Sequence, residues 1–179
     1  MSLALASILG GLACICLGLG FHFFLKRPEW VLSYLRNQVL TLGFYSLACF
    51  WFLYKVLHLG EADFGEYRHS LACLFVVLAC LAYYYVPDFL LIRSFAILGL
   101  LSADVLLDAA YMQPYALRLG LVIAVYIGII GCLLLGALPY LARRGLLYLK
   151  ARPKGAKVLA YSLVLYGCGL GLSAFVYCG

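Results

Sequence analysis

Acidic residues are scarce in this chain. It holds seven in 179 residues against 13 lysines and arginines, and charged side chains of both signs make up only 11% of it. With 67% of residues hydrophobic and a mean hydropathy of +1.07, it lacks the polar half, roughly, that a water-soluble fold needs for its surface. That shortage excludes a soluble globular domain. A net charge of +6 would suggest nucleic acid in a soluble protein, but the basic residues flank apolar runs. There they orient a chain in a bilayer and meet anionic lipid headgroups, so no nucleic-acid partner is expected.

Catalytic and cofactor motifs are also missing. The sequence contains no HExxH, no Gly-x-Ser-x-Gly elbow and no phosphate-cradling glycine loop. Eight cysteines are present, yet no CxxC or Cys/His metal spacing occurs. Cys14, Cys16, Cys49, Cys73, Cys80, Cys132 and Cys168 all fall in apolar runs, where cysteine behaves as a small hydrophobe. No catalytic residue and no cofactor are assigned, and the expected protein is not an enzyme. A 3+3 inverted repeat, the usual pointer to a secondary transporter, is not evident either.

What is present is a sorting of charge. Six of the basic residues crowd between Arg143 and Lys157, and three of the acids are Glu61, Asp63 and Glu66. Between such clusters lie charge-free runs at 1–25, 37–54, 69–87, 119–142 and 158–179. Hydropathy over a window of about 19 residues predicts six spans, near 3–25, 38–58, 70–86, 89–110, 116–139 and 158–178. Each should be a helix, because hydrocarbon offers backbone N–H and C=O groups no partner outside their own segment. The expected fold is therefore all-α: a single polytopic integral membrane bundle of six transmembrane helices. Lys26, Arg27 and Pro28 close the first span, Pro87-Asp88 separates the third and fourth with Asp88 placed to cap the latter, and Pro139 bends or ends the fifth.

The N-terminal run has no basic residues before it; Lys26 and Arg27 follow it. It reads as a retained first span and not a secretory signal. Loop one carries Lys26, Arg27 and Arg36, and loop five carries Arg143, Arg144, Lys150, Arg152, Lys154 and Lys157. Both are expected on the cytoplasmic side, which places both termini and the acidic 60–68 loop outside. A bacterial inner (plasma) membrane is the expected location. In segment 140–157, leucines at 141, 146, 147 and 149 interleave with the bases, as in a short interfacial helix lying on anionic lipid.

Ionisable groups inside the spans are candidates for function, because each costs a few kcal/mol in hydrocarbon unless it is partnered. Arg93 lies roughly 9 Å from the middle of the fourth helix at about 1.5 Å per residue, toward the cytoplasm, and its long stem can carry the charge to the headgroups. Asp104 lies roughly 7–8 Å to the other side on a stem too short to escape. Lys55, roughly 10 Å out in the second helix, shares that half of the bilayer and can pair with it. Asp108 follows Asp104 at i,i+4 on one helical face, either as the outer half of a proton or cation path or as an interfacial residue near Arg118. A second constellation, His58, Glu61, Asp63, Glu66 and His69, offers metal-ligand chemistry at the outer junction of helices two and three, and His58 with His69 is the one histidine pair at matching depth for haem.

Small residues repeat every four positions at Gly128, Cys132 and Gly136, and again at Gly167 and Gly171, which permits close helix approach. Tyr83, Tyr84, Tyr85, Phe50, Trp51, Phe52, Trp30 and Tyr177 read as an interfacial aromatic belt in preference to the lining of a quinone or lipid groove. The expected function is a non-enzymatic membrane protein acting through helix packing, as an accessory or assembly subunit or a homo-oligomer. A transporter or channel using Asp104, and a haem or metal redox protein using His58 and His69, are the alternatives.

Overall fold

The computed structural model describes residues 2–26, 37–60, 65–85 and 90–178, without the side chains of Arg143 and 176–178. These residues form seven α-helices: α1 (Leu3–Lys26), α2 (Gln38–Leu57), α3 (Arg68–Tyr85), α4 (Leu90–Ala110), α5 (Arg118–Ala137), α6 (Tyr140–Ala151) and α7 (Pro153–Cys178). A single 3₁₀ turn, Gly65–Tyr67, leads into α3. The described residues contain no strand. Six of the helices, all but α6, are long and apolar enough to cross a membrane.

The helix ends follow from local chemistry. The Asn37 side chain accepts a hydrogen bond from the Val39 N–H at 3.0 Å, capping α2. Two prolines set the boundaries of α6. Leu138 and Arg152 each precede a proline and adopt nearly the same non-helical conformation, φ −126°, ψ 69° and φ −123°, ψ 70°. The proline ring excludes the residue before it from the helical region, and Pro153 itself suits the first position of α7. The last span therefore begins at Pro153, five residues earlier than hydropathy places it, and the expected 140–157 segment is cut to Tyr140–Ala151. Hydropathy missed this because Lys154 and Lys157 depress the window over a turn that is nonetheless helical.

The six long helices alternate in direction. Antiparallel α1 and α7 pack most tightly: a Cβ placed on Gly11 would lie 2.6 Å from the Gly167 carbonyl oxygen, and the reverse substitution meets the Gly11 carbonyl oxygen at 2.6 Å. Antiparallel α4 and α5 meet where Gly99 faces the Cys132 thiol and Ala96 faces Gly136. Of the four-residue ridges read from the sequence, Cys132, Gly136 and Gly167 are thus used within the bundle, whereas Gly128 has open space beside it. The core gathers Leu3, Ala6, Ala103, Leu121, Val125 and Leu170 from α1, α4, α5 and α7.

Helices α2 and α3 flank this core. The rings of Phe44 and Phe95 lie 4.5 Å apart, so α2 runs parallel to α4. Antiparallel α3 leans on α2 through Phe52 against Phe75, edge to face at 4.9 Å, and through the Tyr45 hydroxyl, which donates to the Ala79 carbonyl at 2.7 Å. No residue of α3 is buried.

Candidate functional site

Because α2 and α4 are parallel neighbours, Lys55 and Asp104 reach the same level. The Lys55 Nζ donates to Asp104 Oδ2 at 2.7 Å, the pair that depth along the two helices suggests. Helix side chains lean toward the N-terminus of their own helix, so the Lys55 stem points back toward the level of Asp104. The two side chains remain 42% and 58% exposed, which puts the pair on the flank of the bundle and not within the core. The result is a net-neutral unit with capacity left over: further N–H donors on the ammonium and Oδ1 on the carboxylate.

Asp108 lies exposed one turn further along α4. Its sequence-suggested neighbour Arg118 is directed elsewhere, since its guanidinium donates to the Ala110 carbonyl at 3.1 Å and satisfies one of the free carbonyls at the end of α4. Met112 follows in the left-handed region, at φ 52°, as the chain turns toward α5. Arg93 sits near the opposite end of α4, its Nε buried without a hydrogen-bond partner among the described residues.

His58 Nδ1 donates to the Tyr54 carbonyl at 2.8 Å, and the two rings lie 4.2 Å apart. Glu66 and His69 are exposed around the start of α3, while Glu61 and Asp63 lie outside the described residues, as do Asp88, Arg27, Pro28, Arg36 and Trp30. No group of three His, Cys, Asp or Glu side chains suited to a metal occurs among the described residues.

The basic cluster divides between two helices. Arg144 and Lys150 are exposed on α6, Arg152 caps it with its guanidinium 5.2 Å above the Tyr148 ring, and Lys154 and Lys157 project from the first turns of α7. Arg143 has no described side chain. On α6 the residues 141, 142, 146 and 149 are half-buried, one face turned toward the bundle, while Leu147 and Tyr148 are exposed.

What the sequence did not disclose is a cleft of about 500 Å³ between α2, α3 and α4. Phe52, Leu53, Phe75, Leu78, Leu100 and Leu101 are among its lining residues, and Tyr45 and Ala82 lie toward its other end. The one hydroxyl in the wall, that of Tyr45, is already bonded to Ala79. Phe52, read from sequence as part of an interfacial belt, instead lines this cleft. Lys55 and Asp104 follow Phe52 and Leu101 by three residues each, which sets the ion pair about one helical turn beyond the cleft's end. The cleft needs the adjacency of three helices, which no single helix's sequence displays. Compared with family models, curated proteins and solved structures, the chain matches none.

Proposed function

We propose that this chain is a non-enzymatic, multi-pass integral membrane protein that acts through helix packing, as an accessory or assembly subunit or as a homo-oligomer. Its termini lie outside, and a bacterial inner (plasma) membrane is its location. Apolar side chains cover the outside of the bundle, including Val39, Phe50, Leu165, Leu172 and Phe175. Such a surface suits lipid and would aggregate in water.

The observation that carries the assembly role is α3. Its Phe75, Leu78, Ala79 and Ala82 share the side that lines the cleft, while Leu74, Val77, Leu81 and Tyr84 form the opposite side, and all four of the latter are exposed. A span with no fully buried residue leaves this side open to another protein. With the native cysteines replaced, Val77→Cys tests this. Short-range crosslinking in membranes should trap a second copy or a distinct partner through α3, and the purified complex should exceed the mass of one chain. Only uncrosslinked monomer would refute it.

A transport reading draws on the exposure of the Lys55–Asp104 pair, with Asp108 on the same face. In it, Asp104 lines the outer half of a proton or cation path. The carboxylate is already neutralised by Lys55, which leaves less for a cation to gain there. Asp104→Asn discriminates: a transporter loses flux while its fold is kept, whereas a packing residue alters stability or assembly.

A further inference from the structure

The cleft and the ion pair are best understood together. The lining on α2 runs from Tyr45 to Leu53, a length of about 12 Å at the rise of an α-helix. The side chains that line the cleft are almost wholly apolar over that length, a wall that suits hydrocarbon chains. The wall has little for a polar head, since the Tyr45 hydroxyl already donates to the Ala79 carbonyl and Cys49 adds only a thiol. Recognition of a head must occur at an end, where Lys55 and Asp104 stand half exposed.

The pair also selects the charge of that head. A phosphate would face the Asp104 carboxylate, and a lone cation would face the Lys55 ammonium. A hydroxyl is both donor and acceptor, so it gives its proton to Asp104 and takes one from Lys55 without disturbing their balance. Asp104 is four residues past the middle of α4, about 6 Å by helix rise. That is far below the headgroup layer at the edge of a hydrocarbon core about 30 Å thick. A charged or zwitterionic head would have to be drawn into hydrocarbon to reach it.

We infer that the cleft between α2, α3 and α4 binds a neutral lipid with a free hydroxyl, its hydrocarbon in the slot and its hydroxyl on Lys55 and Asp104; diacylglycerol is the probe for that class. This rests on the membrane placement proposed above.

The test uses the full chain in phosphatidylcholine vesicles. Trp30→Phe and Trp51→Phe, with Phe52→Trp, place the sole tryptophan on the cleft wall. Its fluorescence is followed while chain-brominated diacylglycerol, or equally brominated phosphatidylcholine, is added. Half-maximal quenching should require about tenfold less diacylglycerol, a difference of about 1.4 kcal/mol. The preference should vanish in the Lys55→Met/Asp104→Leu double variant and in Ala82→Phe, which fills the slot, and circular dichroism should show both still helical. Equal quenching by the two lipids overturns the inference and leaves the membrane reading intact, since bulk lipid then fills the cleft. No quenching from protein that floats with the vesicles overturns it as well, because the cleft is then covered by protein. Protein that fails to float overturns the membrane reading itself.

Discussion

Gly11 and Gly167 face each other across the α1–α7 crossing so closely that a Cβ on either would lie 2.6 Å from the other's carbonyl oxygen. Real side chains do not approach backbone at that distance, and the obstacle on each side is backbone that cannot rotate away. Close approach of this kind replaces the hydrophobic driving force that helices lack in lipid, through dispersion contacts along the whole crossing. Gly11→Val or Gly167→Val should therefore destabilise the protein by about 1–3 kcal/mol, the cost of overpacking. Gly20→Ala on the same helix meets open space and should be neutral or stabilising by up to about 1 kcal/mol. Thermal or denaturant unfolding in mild detergent reads the contrast, and equal effects at Gly11 and Gly20 would contradict the crossing.

Lys55 and Asp104 should behave as a unit. Removing one partner leaves a charge beside hydrocarbon, whereas removing both leaves two apolar helices in contact. The half exposure of the pair sets its coupling between that of surface pairs, about 0–1 kcal/mol, and of buried ones, about 3–5 kcal/mol. We expect Lys55→Met and Asp104→Leu each to lower stability by about 1–2 kcal/mol and the double variant to recover most of that loss. Additive losses in the double-mutant cycle would mean that the two groups do not depend on each other.

Gly99 and Cys132 hold α4 and α5 together by a different fit, a missing side chain against a thiol. Adding a methyl at 99 forces the sulfur to move, and taking the sulfur away makes room for it. Gly99→Ala should be destabilising by about 1–2 kcal/mol, while Gly99→Ala with Cys132→Ala should recover at least half. Unfolding of the four forms supplies the comparison. If Cys132→Ala gives no relief, the neighbours at this crossing are not the two residues named.

The features legible in the sequence were those governed by one helix at a time. Charge-free runs located six helices to within a few residues, except where Lys154 and Lys157 hid the first turns of α7. Depth along two helices sufficed to suggest Lys55 with Asp104, because parallel spans in one bilayer share a scale. Helix adjacency, by contrast, is a property of the assembled bundle. Phe52 therefore looked like a belt residue until α3 and α4 stood beside it, and the bond from Arg118 to the Ala110 carbonyl at the end of α4 was not legible beforehand. His58 turns back onto Tyr54 of its own helix, a contact that its place in the sequence did not disclose.

The basic residues near α6 give the last prediction, because in the proposed topology they direct orientation in the bilayer. Arg144, Lys150, Arg152, Lys154 and Lys157 are spread over α6, its cap and the first turns of α7, so they lie near one end of α7 together with the end of α5. Each lysine or arginine near an anionic membrane surface contributes about 1 kcal/mol, and translocating the segment would forfeit all of these contributions. The C-terminus should therefore lie outside in the native chain. Changing Arg143, Arg144, Lys150, Arg152, Lys154 and Lys157 to glutamine leaves Lys26, Arg27 and Arg36 in the other loop proposed to face the cytoplasm. The population should then split between two orientations, visible as mixed activity of a side-specific reporter fused after Gly179. A native C-terminus found on the cytoplasmic side, or an orientation unmoved by all six substitutions, would show that charge at α6 does not direct this chain.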